Sequence, residues 1–200
     1  MFLMMIALSG LPGAGKTTLA KHLADFFGIR WYSMGDLRGR MAQERGITID
    51  ALNELGMQDP STDREVDDYQ QKLGTSGESF VIDGWMTWYF IPQAFKLFLC
   101  VDPMEGARRV FETKRHLSGG KDEPEYLSVE ETRRVLEARV ANSRERYRKY
   151  YGMDFLDSSH YDAFLDTTAY ERPEQTFEKA LSLLEAWRAG ECRREDGKKS

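Results

Sequence analysis

The run Gly10-Leu11-Pro12-Gly13-Ala14-Gly15-Lys16-Thr17-Thr18 fits the pattern GxxxxGK[ST] at every fixed position. No other stretch constrains the fold as much, because this pattern works only between a strand and a helix. Glycines let successive backbone N–H groups turn inward toward phosphate oxygens, and the helix that opens behind them adds its positive dipole end. Lys16 supplies a point charge, and Thr17 offers a hydroxyl to a Mg²⁺ ion bound between phosphates. Both flanks agree with that context: residues 2–8 are an unbroken apolar run of strand length, and residues 17–27 read as an amphipathic helix. A glycine-rich turn before an ordinary helix would require neither flank. Gly10, Gly13, Ala14, Gly15, Lys16, Thr17 and Thr18 are therefore the candidate phosphate-binding residues.

Strand and helix signals alternate along the rest of the chain. Residues 29–33 read as a second strand, followed by Asp36 as a candidate cap for a helix over 37–45. Further helical segments are expected at 47–56 and 61–73. Residues 79–84 and 95–102 read as buried strands ending in carboxylates, with a helix at 105–115 after them. A polar, glycine-rich loop over 116–128 leads into a long helix over 129–151, then a strand at 163–166 and a last helix at 173–189 with Pro173 at its first position. Such alternation implies an α/β fold with a five-stranded parallel sheet covered on both sides, whose ligands collect at the carboxyl edge. The P-loop, Asp83, Asp102 and Asp166 all reach that edge.

A chain of 200 residues suits one domain, here 1–189, with residues 190–200 reading as a disordered polar tail. A net charge of -5 disfavours nucleic-acid polymers and anionic membranes as general partners. The apolar start is too short to cross a bilayer and reads as a buried strand. Two well-separated cysteines, Cys100 and Cys192, fit a reducing cytoplasm, and the three histidines show no metal-ligand spacing.

Asp83, at the end of a strand beside the P-loop, is placed to hold Mg²⁺ through water; a turn or cap role is the alternative. No guanine-reading NKxD or switch DxxG segment stands in register, which disfavours a signalling GTPase. Arg139 and Arg146 lie seven apart and share one face of the long helix. Fixed guanidinium groups offset the charge that spreads over a transferring phosphoryl group, although a solvated basic face would also explain a helix this rich in arginine.

Several segments together resemble the nucleoside monophosphate kinases, and most closely the archaeal-type cytidylate kinases and their bacterial relatives. They are Tyr32-Ser33-Met34-Gly35-Asp36 with Ala42-Gln43-Glu44-Arg45-Gly46, Val66-Asp67-Asp68-Tyr69-Gln70, Val81-Ile82-Asp83-Gly84, residues 139–143 with Arg146-Tyr147, Tyr151-Gly152-Met153-Asp154, and Tyr161-Asp162. The resemblance implies a P-loop NTPase fold with an acceptor-binding insertion over about 33–76 and a lid over about 115–139. It implies transfer of the γ-phosphoryl of ATP, with Mg²⁺, to a nucleoside monophosphate, CMP or dCMP foremost, with Lys16, Arg139 and Arg146 as the catalytic cations. Ser33, Asp36, Arg38, Arg40, Asp67, Gln70 and Trp85 fall in the acceptor region. Asp67 and Gln70, at i and i+3, match a reader of a base edge, an aspartate being the natural acceptor for the cytosine amino group, or simply a polar helix face.

The chain departs from that pattern twice. Gly39 stands where related kinases usually carry arginine, flanked here by Arg38 and Arg40, and Trp85 follows Asp-Gly where cytidylate kinases tend to have arginine. A tryptophan cannot hold a phosphate; with Trp88, Tyr89 and Phe90 it walls a pocket or belongs to the core. Two other readings therefore stay open: a kinase for another small acceptor, and a nucleotide-binding regulatory protein without acceptor turnover. The expected oligomeric state is a monomer.

Overall fold

In the computed structural model, residues 3–116 and 126–191 are described. Residues 192–200 of the expected tail and the central part of the expected lid lie outside them, while Gly190 and Glu191 bond back to the end of the last helix.

Strand β1 (Met5–Gly10) is buried along its whole length because both faces of the sheet are covered. It lies at the centre of a five-stranded sheet of order β2-β3-β1-β4-β5, with β2 at Arg30–Ser33, β3 at Phe80–Asp83, β4 at Phe95–Cys100 and β5 at Ala163–Asp166. All four pairings are parallel, and Leu8 and Ser33 both register with Asp83. Period two then divides β1. Ile6 and Leu8 face a core completed by α1 (Lys16–Phe27) and α8 (Pro173–Arg188), whereas Met5 and Ala7 face the helices inserted between β2 and β3.

That insertion holds α2 (Met34–Glu44), α3 (Ile49–Gly56) and α4 (Ser61–Gly74), which contribute Met41, Leu52, Val66 and Leu73 to the second core. Helix α6 (Pro103–His116) follows β4, and α7 (Val129–Tyr151) follows α6. Ser128 caps α7 by accepting from Glu131 N, while Glu131 reaches back to Leu127 N at 2.6 Å. The helix stops at Gly152, whose φ of 67° suits a left-handed cap. Among the described residues no helix is long and apolar enough to cross a membrane.

Several local expectations need correcting. Ser33, not Asp36, caps α2: its Oγ accepts from Asp36 N at 3.3 Å, so the helix begins three residues earlier than its apolar pattern suggests. Asp36 instead lies in the first turn, where a negative charge favours the helix dipole. Likewise Thr48 caps α3. The aromatic stretch after β3 contains a short helix, α5 (Thr87–Phe90), and belongs largely to the core: Met86 and Trp88 are buried with Phe98, Phe155 and Tyr161. Trp88 lies flat on His160, with ring centroids 3.9 Å apart.

The P-loop is seated by two close backbone approaches. At Gly10 (φ +148°) a Cβ would stand 2.3 Å from Leu99 O, and at Gly13 (φ +76°) 2.2 Å from Gly106 O in the first turn of α6. Gly15, also left-handed at φ +87°, has open space around it. Gly13→Ala should therefore cost about 2 kcal/mol more than Gly15→Ala, which meets only the backbone penalty of about 1–2 kcal/mol. Urea unfolding of the two variants measures the difference; equal midpoints would show that the loop does not depend on its seat against α6.

Candidate active site

Beyond Gly15 the first turn of α1 presents Lys16, Thr17 and Thr18 to a cavity of about 1220 Å³. Thr17 and Thr18 are exposed. Lys16 folds back on the loop, its Nζ donating to Gly10 O at 2.9 Å and Leu11 O at 2.8 Å. Burial pushes its ammonium down to about 8, and the nearby Asp83 carboxylate opposes the shift only in part. The carbonyl of Gly10 also accepts from Trp85 Nε1 at 3.0 Å, and the Trp85 ring stacks on Phe155 at 5.0 Å. Trp85 is thus bound to the phosphate loop itself.

Asp83 closes β3 and is 4% exposed. Trp31 Nε1 donates to its Oδ2 at 2.8 Å and Ser33 Oγ to its Oδ1 at 3.0 Å, so two residues of β2 fix the carboxylate. Burial raises its pKa, against the pull of Trp31, Lys16 and Ser33.

The far wall of the cavity includes Arg109 of α6 and Leu136 and Arg139 of α7. Arg109 accounts for the junction there. It donates to Thr167 O at 2.8 Å, Tyr170 O at 3.0 Å and Gly13 O at 3.5 Å, joining the loop after β5 to the P-loop. Glu105 orients it from one turn away at 2.8 Å, and Arg108 and Arg109 together hold that carboxyl down at about 2. Arg139 reaches from α7 to Asp50 of α3, with Nε 3.0 Å from Oδ1 and Nη2 3.3 Å from Oδ2.

Two turns along α7, Arg146 is only 1% exposed. Its Nε lies 3.1 Å from Asp63 Oδ2, and its Nη1 donates to Asn53 O at 3.1 Å. Arg38 meets the same carboxylate from α2, at 2.6 Å from Asp63 Oδ1, and also donates to Asn53 Oδ1 at 2.8 Å. Two guanidinium groups thus share one buried carboxylate, an arrangement that is sustainable only with further hydrogen bonds to each partner. Burial lowers the pKa of Arg38 and Asp63 opposes it, but a guanidinium stays charged.

Beside this cluster Asp67 accepts a hydrogen bond from Tyr151 OH, and burial pushes its carboxyl up to about 6. Gln70 is 2% exposed, and its Oε1 finds no hydrogen-bond partner among the described residues. Asp36 and Arg40 are exposed on α2.

The residues singled out in the sequence therefore fall into two groups. Gly13, Ala14, Gly15, Lys16, Thr17, Thr18 and Arg139 border the large cavity, while Asp83 and Trp85 lie outside its lining, Trp85 bonded to Gly10 O. Arg38, Asp67, Gln70 and Arg146 gather between α2, α4 and α7. Asp50, Asn53, Asp63, Arg109 and Trp31 were not anticipated. Only Trp31 left a readable signal, since it lies two residues before Ser33 and so shares its side of β2.

Comparison with known proteins agrees with this geometry. Residues 5–169 match the model of the cytidylate kinase-like family. The chain is 34% identical over 183 residues to a cytidylate kinase of Methanothrix thermoacetophila, covering 92% of this chain and 99% of that protein. It is 32% identical to a cytidylate kinase of Methanocella arvoryzae, over 84% of this chain and 90% of that one. Among solved structures, an uncharacterized protein from Eubacterium ventriosum superposes with a TM-score of 0.66 at 16% identity, covering 92% of this chain and 99% of that one. A shikimate kinase from Acinetobacter baumannii gives 0.59 at 20% identity, over 93% and 95%. The structural likenesses establish the P-loop kinase fold. The family match and the sequence relatives go further: this chain belongs to the cytidylate kinase-like family.

Proposed function

We propose that the protein transfers the γ-phosphoryl group of ATP to a nucleoside monophosphate, with CMP or dCMP as the preferred acceptor. The observation that carries this reading is that one helix, α7, bears cations of both centres: Arg139 at the phosphate-loop cavity and Arg146 in the buried cluster with Arg38. A donor site and an acceptor site linked in this way suit transfer between two phosphorylated molecules. The cytidylate kinase relatives supply the acceptor.

The oxygen donors at the loop fit Mg²⁺. Among the described residues no three His, Cys, Asp or Glu gather into a metal cage, and an ion that keeps most of its waters needs only the Thr17 hydroxyl, Asp83 through water, and phosphate oxygens. When bound, Mg²⁺ neutralises phosphate charge. Gly13, Ala14, Gly15 and Thr18 contribute backbone N–H groups to the phosphates. Lys16 exchanges the carbonyls of Gly10 and Leu11 for phosphate oxygens and regains its full charge there.

Arg38 and Arg146 grip the acceptor phosphate, and the exposed Arg40 adds charge at the rim. An oxygen of that phosphate attacks the γ-phosphorus; the bond to the β–γ bridging oxygen breaks, and ADP leaves with the electron pair. Arg139 offsets the charge on the transferring group. Asp67 accepts from the cytosine amino group and Gln70 completes the base edge, while Ser33 and Asp36 line the entrance. Trp85 takes no phosphate; its indole fixes the Gly10 carbonyl. The protein works as a monomer on soluble nucleotides in the cytoplasm. Gly39 and Trp85, which replace arginines, favour a kinase for a different small acceptor as the second reading.

ADP production from Mg·ATP should rise strongly with CMP or dCMP and weakly with UMP, AMP or GMP. Lys16→Ala should lower it by about a hundredfold or more. Absence of stimulation by every monophosphate would favour the second reading.

The lowered pKa of Lys16 makes nucleotide binding draw in a proton. Close to one proton should be taken up per Mg·ATP at pH 9 and almost none at pH 7, where the ammonium is already charged. Calorimetry in buffers of different ionisation enthalpy reads this directly, and equal uptake at both pH values would contradict the role given to Lys16.

Base reading by Asp67 needs the carboxylate. Since its pKa lies near 6, kcat/KM for CMP should fall as pH drops below that value. Asp67→Asn should raise the KM for CMP about tenfold and remove one ionisation from the profile, leaving that of the substrate phosphate. An unaltered profile would assign Asp67 to the helix surface.

A further inference from the structure

Helix α3 is only eight residues long, yet three positions on it adjoin Arg38, Arg139 and Arg146. Asp50, Asn53 and Gly56 recur every third residue and so lie along one face. Asp50 takes Arg139 at the wall of the large cavity. Asn53 takes Arg38 with its side chain, and Arg146 with both its backbone carbonyl and its side chain, at 2.8, 3.1 and 3.3 Å. At Gly56 a Cβ would stand 3.0 Å from Arg146 Cδ and 3.2 Å from Arg38 Nη2. One residue further, the Met57 carbonyl accepts from Lys149 Nζ at 2.6 Å, so the face tracks α7 from Arg139 to Lys149.

We infer that this face of α3 is a positioning surface, in which Asp50 sets Arg139 for the donor side while Asn53 and Gly56 set the Arg38–Arg146 pair for the acceptor side. The inference rests on the phosphotransferase reading above. None of the three residues touches the reacting groups. Asp50 supplies a bidentate carboxylate that helps to orient the Arg139 guanidinium at the cavity wall. Asn53 supplies an amide oxygen that two donors approach together. Gly56 supplies the absence of a side chain, and its φ is not in the left-handed region, so the backbone tolerates alanine there.

Three variants separate positioning from mere support. Asp50→Ala should lower kcat about tenfold with the KM for CMP within about twofold, and Asp50→Glu should recover most of the loss by restoring the carboxylate. Gly56→Ala, whose methyl would press on Arg146 Cδ and Thr62 Oγ1 at 3.0 Å, should raise the KM for CMP about fivefold at temperatures where the variant is fully folded. A purely structural face predicts the reverse pattern, a lower melting temperature with kinetic constants within twofold of the parent, and that result would overturn the inference. A parent protein that phosphorylates neither CMP nor dCMP would instead overturn the phosphotransferase reading, which the screen of acceptors decides separately.

Discussion

The close approach of backbone to backbone at the end of β1 is the constraint on which the rest of the structure depends. Leu11 N donates to Leu99 O at 3.0 Å, and Gly10 leaves no room there for a side chain. The chain can then turn sharply out of the sheet into the loop, whose Ala14 N folds back on Leu11 O at 3.3 Å. Since β1 lies between β3 and β4, this turn has Asp83 on one side and the cavity bounded by α6 and α7 on the other. Trp85, Arg109 and Lys16 all bond to carbonyls of the same loop, at Gly10, Gly13 and Leu11. The loop is therefore fixed through its carbonyl acceptors as well as through Leu11 N.

The cluster of Arg38, Asp63 and Arg146 calls for a different energetic account. Desolvating three ions costs more than their mutual attraction returns in most interiors, and an apolar replacement of the same volume is often no less stable. Stability is thus a poor reason for the cluster. Its geometry offers a better one. A shared carboxylate holds two guanidinium groups at a fixed separation with a residual positive charge, and Asn53 fills the hydrogen bonds that Asp63 leaves open. Under the proposed function that charge is what an acceptor phosphate would meet.

The fold was legible in the sequence wherever local chemistry and tertiary context agree. The P-loop pattern, the apolar strands and the bounds of α7 all follow from spacing and caps, and α7 runs over the expected 129–151. Legibility failed where a side chain serves two partners. Ser33 caps α2 and also bonds Asp83 across the sheet, a contact 50 residues distant that no local pattern contains. Asp63 reads as an ordinary acidic residue in a first helical turn, and only the packing of α4 against α2 and α7 makes it a buried counter-ion. Asp50 is a first-turn acid of the same kind, and its link to Arg139 spans 89 residues. The aromatic stretch after β3 carried too many apolar residues for periodicity to separate core from pocket; burial of Met86 and Trp88 settles those two for the core.

Gly39 and Trp85 fall where the resemblance leads one to expect arginine, and the structure gives both a physical account. One step along a helix rotates a side chain by about 100°, which ought to turn Arg38 away from a site that an arginine at the next position would face. Yet Arg38 is 7% exposed, aimed between α3 and α4, and joined to Arg146 through Asp63. Gly39 is itself buried. Arg38 is the cation of α2 that the insertion encloses, between Asn53 of α3 and Asp63 of α4. At Trp85 the account is of another kind: the indole N–H donates to Gly10 O in a rigid contact, and stacking on Phe155 supports it from behind. Trp85 brings no positive charge to the end of β3. Under the proposed function, the acceptor phosphate must then be held from the side of α2 and α7.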